Sequence, residues 1–173
     1  MILIGLTPLS YATAKGHESI VHLLMQTEKA NADSVDLRGW TPLFWAAENG
    51  QEAVVKLLLQ TETISIDPKD FWGRTPLSIL AHNNHKNVAK LLLDTGKVGV
   101  DSRGYWGRTA LSYAAAKGYS AVVQLLIETE KVNLNSTDHR GWTPLFWAAD
   151  TGQEAIVKLL LETGKIDMNL KDF

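Results

Sequence analysis

A short motif of threonine, proline or alanine, and leucine recurs along the chain at a constant interval. Successive threonines of this motif lie 34 residues apart, at Thr7, Thr41, Thr75, Thr109 and Thr143. Self-similarity at such a period is typical of an array of small structural units. Because one unit cannot bury its apolar faces alone and stacked units can, the interval predicts one elongated domain of about five copies.

The motif marks the start of a short helix in each copy. In the second copy, Thr41 is suited to cap the helix, and Pro42 fits its first turn because proline has no amide hydrogen to leave unbonded. Gly50 supplies the left-handed turn that ends the helix, and Asn84 takes that place in the third copy. The glycines of the other copies are Gly16, Gly118 and Gly152.

A second helix is predicted over residues 51–60. Its apolar side chains recur at helical spacing, and Glu52 and Lys56 are placed for an ion pair on the opposite side. Residues 64–67 then alternate in polarity and residues 68–70 favour a turn, which predicts an extended arm and a hairpin between one helix pair and the next. The predicted fold class is an all-α repeat solenoid of helix-turn-helix plus hairpin units.

These motifs resemble the ankyrin repeat. Gly-x-Thr-Pro-Leu, Ala-Ala, Gly and a run of branched aliphatic residues follow in order over residues 39–59 and again over 141–161. The resemblance covers nearly the whole chain and is most similar to the long arrays of fungal multidomain proteins. The family's usual histidine after Thr-Pro-Leu is replaced here, so its hydrogen bonds are lost or remade, and the period is one residue longer than usual. The replacements are Ser10, Phe44, Ser78, Ser112 and Phe146.

A longer period is superimposed on the first. Residues 38–47 recur as residues 140–149, which indicates a duplicated block of three units. Lys69-Asp70-Phe71 likewise recurs as the last three residues, which predicts a truncated sixth hairpin. Neither end unit has the polar outer face that a finished solenoid needs, so we expect a fragment of a longer array. The alternative is that the bare ends meet and form a homo-oligomer by end-to-end stacking. The predicted repeats of this single domain, 1–173, are about 1–35, 36–69, 70–103, 104–137 and 138–171.

Composition restricts the classes of function. The chain has no cysteine, which excludes disulfides and thiolate metal sites. Its formal net charge is -2 and its charges are interspersed, which argues against nucleic acid as the partner. The sequence lacks a secretion signal and a segment that could span a bilayer, so we expect a soluble cytoplasmic protein with no membrane partner.

No catalytic pattern connects the histidines and carboxylates. The five histidines form no known catalytic or zinc-binding motif, and no phosphate-binding glycine pattern occurs, so we expect neither an enzyme nor a cofactor. His82 and His85 are three residues apart and could form half a metal site, but further ligands at suitable spacing are missing. Glu48 and Asp150 occupy matching places in different copies, which favours a solvated face over an acid/base pair.

The positions that vary between copies predict a partner-binding surface. The resemblance implies that hairpin tips and the exposed ends of the first helices line a concave face. These positions are rich in Trp, Tyr and Arg, the side chains most enriched where protein interfaces gain their energy. The predicted binding residues are Arg38, Trp40, Glu48, Asn49, Phe71, Trp72, Arg74, His82, Asn83, Tyr105, Trp106, Arg108, Lys117, His139, Arg140, Trp142, Asp150 and Thr151.

Other interpretations exist for some of these aromatic residues. Trp72 and Trp106 are one unit apart, so the alternative is that they stack on neighbouring hairpins and stiffen the array. Trp45 and Trp147 follow the phenylalanines inside the first helices and are predicted to pack in the core, outside the site. On the resemblance, Arg74 and Arg108 point to the same side as the tryptophans of other copies, where cation–π pairing or capture of acidic and aromatic side chains is expected.

The sequence therefore predicts a non-catalytic recognition module, part of a larger sensing or scaffolding protein, that binds another protein or a peptide. The alternative function is a structural spacer or self-associating element that stacks through its end repeats.

Overall fold

The computed structural model describes residues 5–27, 29–61 and 64–172. These residues form ten α-helices in five successive pairs and contain no β-strand, so the predicted all-α solenoid is confirmed and about five copies are compatible with it. The helices are α1 Pro8–Lys15, α2 Glu18–Gln26, α3 Pro42–Glu48, α4 Glu52–Leu59, α5 Pro76–His82, α6 Lys86–Asp94, α7 Ala110–Lys117, α8 Ser120–Glu128, α9 Pro144–Asp150 and α10 Glu154–Glu162.

Each first helix of a pair begins after one of the periodic threonines. The hydroxyl of Thr41, for example, accepts a hydrogen bond from the Phe44 amide, and the other four threonines cap their helices in the same way. In α5 the cap is reciprocal, because the Ser78 hydroxyl also accepts from the Thr75 amide at 3.0 Å. Serine at the usual histidine position therefore hydrogen bonds with the capping threonine.

Phenylalanine at the same position packs instead of hydrogen bonding. The ring of Phe44 stacks on Trp40 with 5.7 Å between centroids, and Phe146 contacts Trp142 at 4.5 Å. At the other end of the first helices the left-handed residues are also confirmed. Asn84 has a φ of 63°, within the range that the glycines of the other copies adopt.

The helices form two layers. The first helices of successive pairs pack against each other from α1 to α9, and the second helices do the same from α2 to α10. Their apolar faces form one continuous core, in which Leu43, Leu80 and Leu111 of the first layer and Leu58 and Leu126 of the second are fully buried. Glu52 and Lys56 form the predicted ion pair at 2.6 Å on the outer side of α4. None of the helices in these residues is long and apolar enough to cross a membrane.

Tight turns rather than paired strands connect one helix pair to the next. The predicted arm at residues 64–67 forms no strand, because neighbouring arms are joined through side chains: the Asp33 carboxylate accepts from the Ser65 amide at 3.1 Å. The turn that follows is closed by a backbone hydrogen bond from the Asp70 amide to the Arg74 carbonyl, at 3.0 Å. The predicted sixth hairpin extends to Phe173, which lies outside the described residues.

Candidate recognition surface

A buried aspartate organises three of the four turns that lie between helix pairs. One carboxylate oxygen of Asp70 accepts from the Trp72 amide at 2.9 Å and from the Arg74 amide at 2.8 Å. Asp36 and Asp138 make the same two contacts in their own turns. The aspartate thus fixes the backbone at the tip of each of these three turns. Gly104 occupies this place in the turn between α6 and α7.

Adjacent tips are also bonded to each other. The Phe71 amide donates to the Arg38 carbonyl at 3.1 Å, the Tyr105 amide to the Trp72 carbonyl at 2.6 Å, and the His139 amide to the Trp106 carbonyl at 3.1 Å. The four tips therefore form one connected row along the first-helix layer.

Trp40 is buried and does not lie on the surface, where the sequence placed it. Its side chain is 4% exposed, and its indole nitrogen donates to the second carboxylate oxygen of Asp70 at 3.1 Å. The turn of the following helix pair covers it. Its duplicate Trp142 is only half-buried, because no described helix pair packs on that side of α9.

Arg74 is held within the protein. Its guanidinium forms an ion pair with Asp70 at 2.7 Å, and the Asp70 side chain is completely buried. The same guanidinium lies 5.6 Å from the centre of the Trp40 ring and 5.0 Å from that of Trp72. The expected cation–π pairing between copies is present here, and a partner would meet only the exposed edge of this arginine.

Four aromatic side chains on two neighbouring tips are exposed. The exposed fraction is 71% for Phe71, 47% for Trp72, 66% for Tyr105 and 64% for Trp106. The alternative of Trp72 stacking on Trp106 is not observed, since the described residues include no ring contact between them. Trp106 instead meets the Tyr105 ring edge-on, at 5.3 Å between centroids.

A cleft of about 330 Å³ lies between the fourth and fifth helix pairs. Four of its lining residues belong to the predicted binding surface. Three others, Tyr113, Asp138 and Trp147, were not predicted. Trp147 was predicted to be core, but it is only half-buried and its ring centre lies 3.9 Å from the Arg108 guanidinium. The cleft is lined by Trp106, Arg108, Tyr113, Asp138, His139, Arg140 and Trp147.

Arg108 differs from Arg74 because its turn contains Gly104 in place of aspartate. Among the described residues its side chain forms no ion pair, and the one hydrogen bond of its guanidinium runs to the Ser112 carbonyl at 3.2 Å. Its Nε is buried without an acceptor. Burial lowers the pKa of the Arg108 guanidinium, and electrostatic interaction with Tyr113 and Asp138 opposes that shift.

The framework that holds these residues has a recognised family signature. The family model described as ankyrin repeats (3 copies) matches the chain over residues 3–70, 62–138 and 95–172. The chain belongs to the ankyrin repeat family. Ankyrin repeats generally mediate protein–protein interactions, and ankyrin repeat proteins are typically non-catalytic binding modules. A comparison with curated proteins finds no match.

The first-helix ends of the ankyrin array are partly occupied by contacts between pairs. The Asn83 amide group donates to the Glu48 carboxylate at 2.8 Å and to its carbonyl at 3.2 Å. Asn49 donates to the Trp45 carbonyl at 2.8 Å, and the His82 ring meets Tyr113 at 5.8 Å. Further along the array, the predicted residues Lys117, Asp150 and Thr151 are exposed.

The two histidines of the third ankyrin unit do not converge. His85 directs its Nε2 toward the Glu48 carbonyl at 3.2 Å, whereas His82 is bonded to Asn83 through Nδ1 at 2.9 Å. Over the part of the chain that the structure describes, no group of three or more histidine, cysteine or acidic residues could hold a metal ion.

Proposed function

We propose that this ankyrin array recognises another protein or a peptide through its row of turn tips and the adjoining ends of the first helices, and that it does so without catalysing a reaction. One observation carries the proposal: Phe71, Trp72, Tyr105 and Trp106 expose large aromatic surfaces on adjacent tips whose backbones are hydrogen bonded. Each helix pair with its preceding turn is taken as one repeat of a single domain, with the boundaries given above.

Rigid aromatic side chains are effective anchors for a partner. Trp and Tyr bring a large apolar area and have few rotatable bonds, so ordering them on binding costs little entropy. The backbones of these two tips are already fixed by the buried carboxylate of Asp70 and by the hydrogen bond from the Tyr105 amide to the Trp72 carbonyl. Both effects favour recognition by this row over recognition by the second-helix layer.

Selection from a random peptide library tests the proposal. Peptides selected on the wild-type chain are measured against Trp72→Ala/Tyr105→Ala, which removes one anchor from each of two bonded tips. We expect a loss of affinity of about tenfold or more, since interface aromatic residues commonly contribute this much or more.

The matched control is Ile20→Ala/Leu23→Ala. These side chains are 48% and 62% exposed on α2, in the second-helix layer, so their removal takes away exposed apolar area elsewhere. Both double variants are first checked for an unchanged thermal transition. The proposal fails if the tip variant binds the selected peptides as tightly as the wild type does, or if the α2 variant loses as much.

A further inference from the structure

We propose that the cleft between the fourth and fifth helix pairs binds a carboxylate of the partner polypeptide, with the Arg108 guanidinium as its anchor. This inference rests on the proposed recognition function and names the chemistry of one part of the surface. The cleft lies beside the exposed tip of Tyr105 and Trp106, so a chain that docks on the tips can also enter it.

The turn before Arg108 lacks the aspartate that pairs with arginine in the preceding turn. In the preceding turn, Asp70 lies four residues before Arg74 and pairs with it at 2.7 Å. The residue four positions before Arg108 is Gly104, which brings no side chain at all. Arg108 therefore lacks the partner that Arg74 has, and its guanidinium lies instead 4.4 Å from the ring centre of Tyr113 and 3.9 Å from that of Trp147.

The Arg108 guanidinium is far from saturated with hydrogen bonds. Arginine carries five N–H donors in a planar fork that matches a carboxylate. In the described residues only the Ser112 carbonyl accepts from this group, and Nε is left without an acceptor. An arriving carboxylate would supply the missing acceptors and counter-charge together.

The other charged groups of the cleft do not replace that carboxylate. Asp138 already accepts hydrogen bonds from the Arg140 and Trp142 amides and from the Trp147 indole nitrogen, at 2.8 to 3.0 Å. It forms no ion pair with Arg108 within 4.0 Å. Arg140 also lacks an ion-pair partner among the described residues, and its guanidinium lies 5.7 Å from the Trp142 ring centre. The two arginines leave the lining with an excess of positive charge over Asp138.

The aromatic walls determine what the carboxylate is attached to. Trp106, Tyr113 and Trp147 surround Arg108 with apolar surface. Partial exclusion of water strengthens a charged hydrogen bond in such a site. A volume of about 330 Å³ is at the small end of ligand pockets, which suits one acidic side chain or one chain terminus with an apolar neighbour.

Four short alanine-based peptides, each with a fluorophore coupled to the amino terminus, test the chemistry. One ends in phenylalanine with a free terminal carboxylate, and its match is the same peptide as the terminal amide. Another is amidated and carries an internal glutamate beside phenylalanine, and its match has glutamine there. By fluorescence anisotropy, we expect at least one acidic peptide to bind about tenfold or more tighter than its neutral match, as charged hydrogen bonds do. The pair that shows the preference identifies the source of the carboxylate.

Substitution of Gly104 makes the test specific to the missing carboxylate. A Cβ at Gly104 would lie 3.4 Å from the Trp72 carbonyl and 3.6 Å from the Arg74 side chain, which are ordinary contacts. Gly104→Asp places a carboxylate four residues before Arg108, as Asp70 lies four residues before Arg74. We expect Arg108 to turn toward it and the acid preference to fall to about twofold or less. Gly104→Asn has the same shape without the charge and should keep the preference.

Arg108→Gln is the second variant. It should also remove the preference, because it takes away the positive charge that binds the carboxylate. The inference is overturned if wild-type protein binds acidic and neutral peptides equally or binds none of them. It is also overturned if Gly104→Asp keeps the same preference as Gly104→Asn. The tip variant Trp72→Ala/Tyr105→Ala keeps all seven residues that line the cleft. If binding is lost in the tip variant but the wild type shows no acid preference, the recognition function stands and the cleft proposal is refuted. If the acid preference is present but the tip variant binds as the wild type does, only the role of the tips is refuted.

Discussion

At the scale of single residues, Asp70 connects more of the surface than any aromatic residue does. Its two oxygens accept from the amides of Trp72 and Arg74, the indole nitrogen of Trp40 and the guanidinium of Arg74. The Asp70 side chain is buried, so removal of its carboxylate would leave these donors without their acceptor.

We expect Asp70→Ala to lower the free energy of unfolding by about 2–4 kcal/mol, because a buried ion pair and several hydrogen bonds are broken at once. Asp94→Ala is the control. Asp94 also pairs with a base four residues away, Lys90, but both side chains are more than half exposed, so the loss should be about 0.5 kcal/mol or less. Urea denaturation of the two variants measures the difference, and equal losses would contradict the role given to Asp70.

Residues whose role is local could be predicted from the sequence, and residues whose role depends on the next copy could not. The threonine caps and the left-handed Asn84 follow from chemistry within a few residues, and both are confirmed. Trp40 was assigned to the surface but is buried, and Trp147 was assigned to the core but is half-buried, because burial of each ring is decided by the turn or helix of another pair. Gly104 was visible in the sequence. That it leaves Arg108 without a carboxylate in its own turn became clear only from the pairing of Asp70 with Arg74.

At the scale of the elements, the break between the two helices of a pair depends on a left-handed residue. Gly50 and Gly152 occupy the same place in the second and fifth pairs, with φ values of 63° and 69°. They differ in their neighbours. A Cβ at Gly50 would lie 2.6 Å from His85, whereas nothing lies within 4 Å of one at Gly152.

Gly50→Ala should therefore destabilise the protein more than Gly152→Ala. Both substitutions carry the left-handed strain of about 1–2 kcal/mol. Only the first also displaces the His85 ring, which is bonded to the Glu48 carbonyl. Thermal unfolding of the two variants gives the comparison. In the His85→Ala background the ring is absent, so Gly50→Ala should there lower the stability only by the left-handed strain. The steric explanation is wrong if the extra loss of stability persists in that background.

At the scale of the whole molecule, each helix pair is stabilised mainly by contacts with the pairs next to it. The constant interval predicted this organisation, and the packing of each layer from one pair to the next agrees with it. The central first helices α5 and α7 are packed on both sides, whereas α2 and α10 each have one neighbour in their layer.

Native-state hydrogen exchange should follow this gradient. We expect the slowest amide exchange in α5 and α7 and the fastest helical exchange in α2 and α10, because end pairs can open without breaking the central interfaces. Peptide-resolved mass spectrometry measures the rates. Uniform protection across all ten helices would show that the array opens only as a whole.

The pair-to-pair packing also has a mechanical consequence. Tension applied to the two ends of such a chain loads its interfaces in series, since the main contacts join only successive helix pairs. The interface with the lowest rupture force yields first, while the remaining interfaces bear the same load and stay closed. Extension therefore proceeds in steps, and the row of aromatic tips on the central pairs can outlast the peeling of either end.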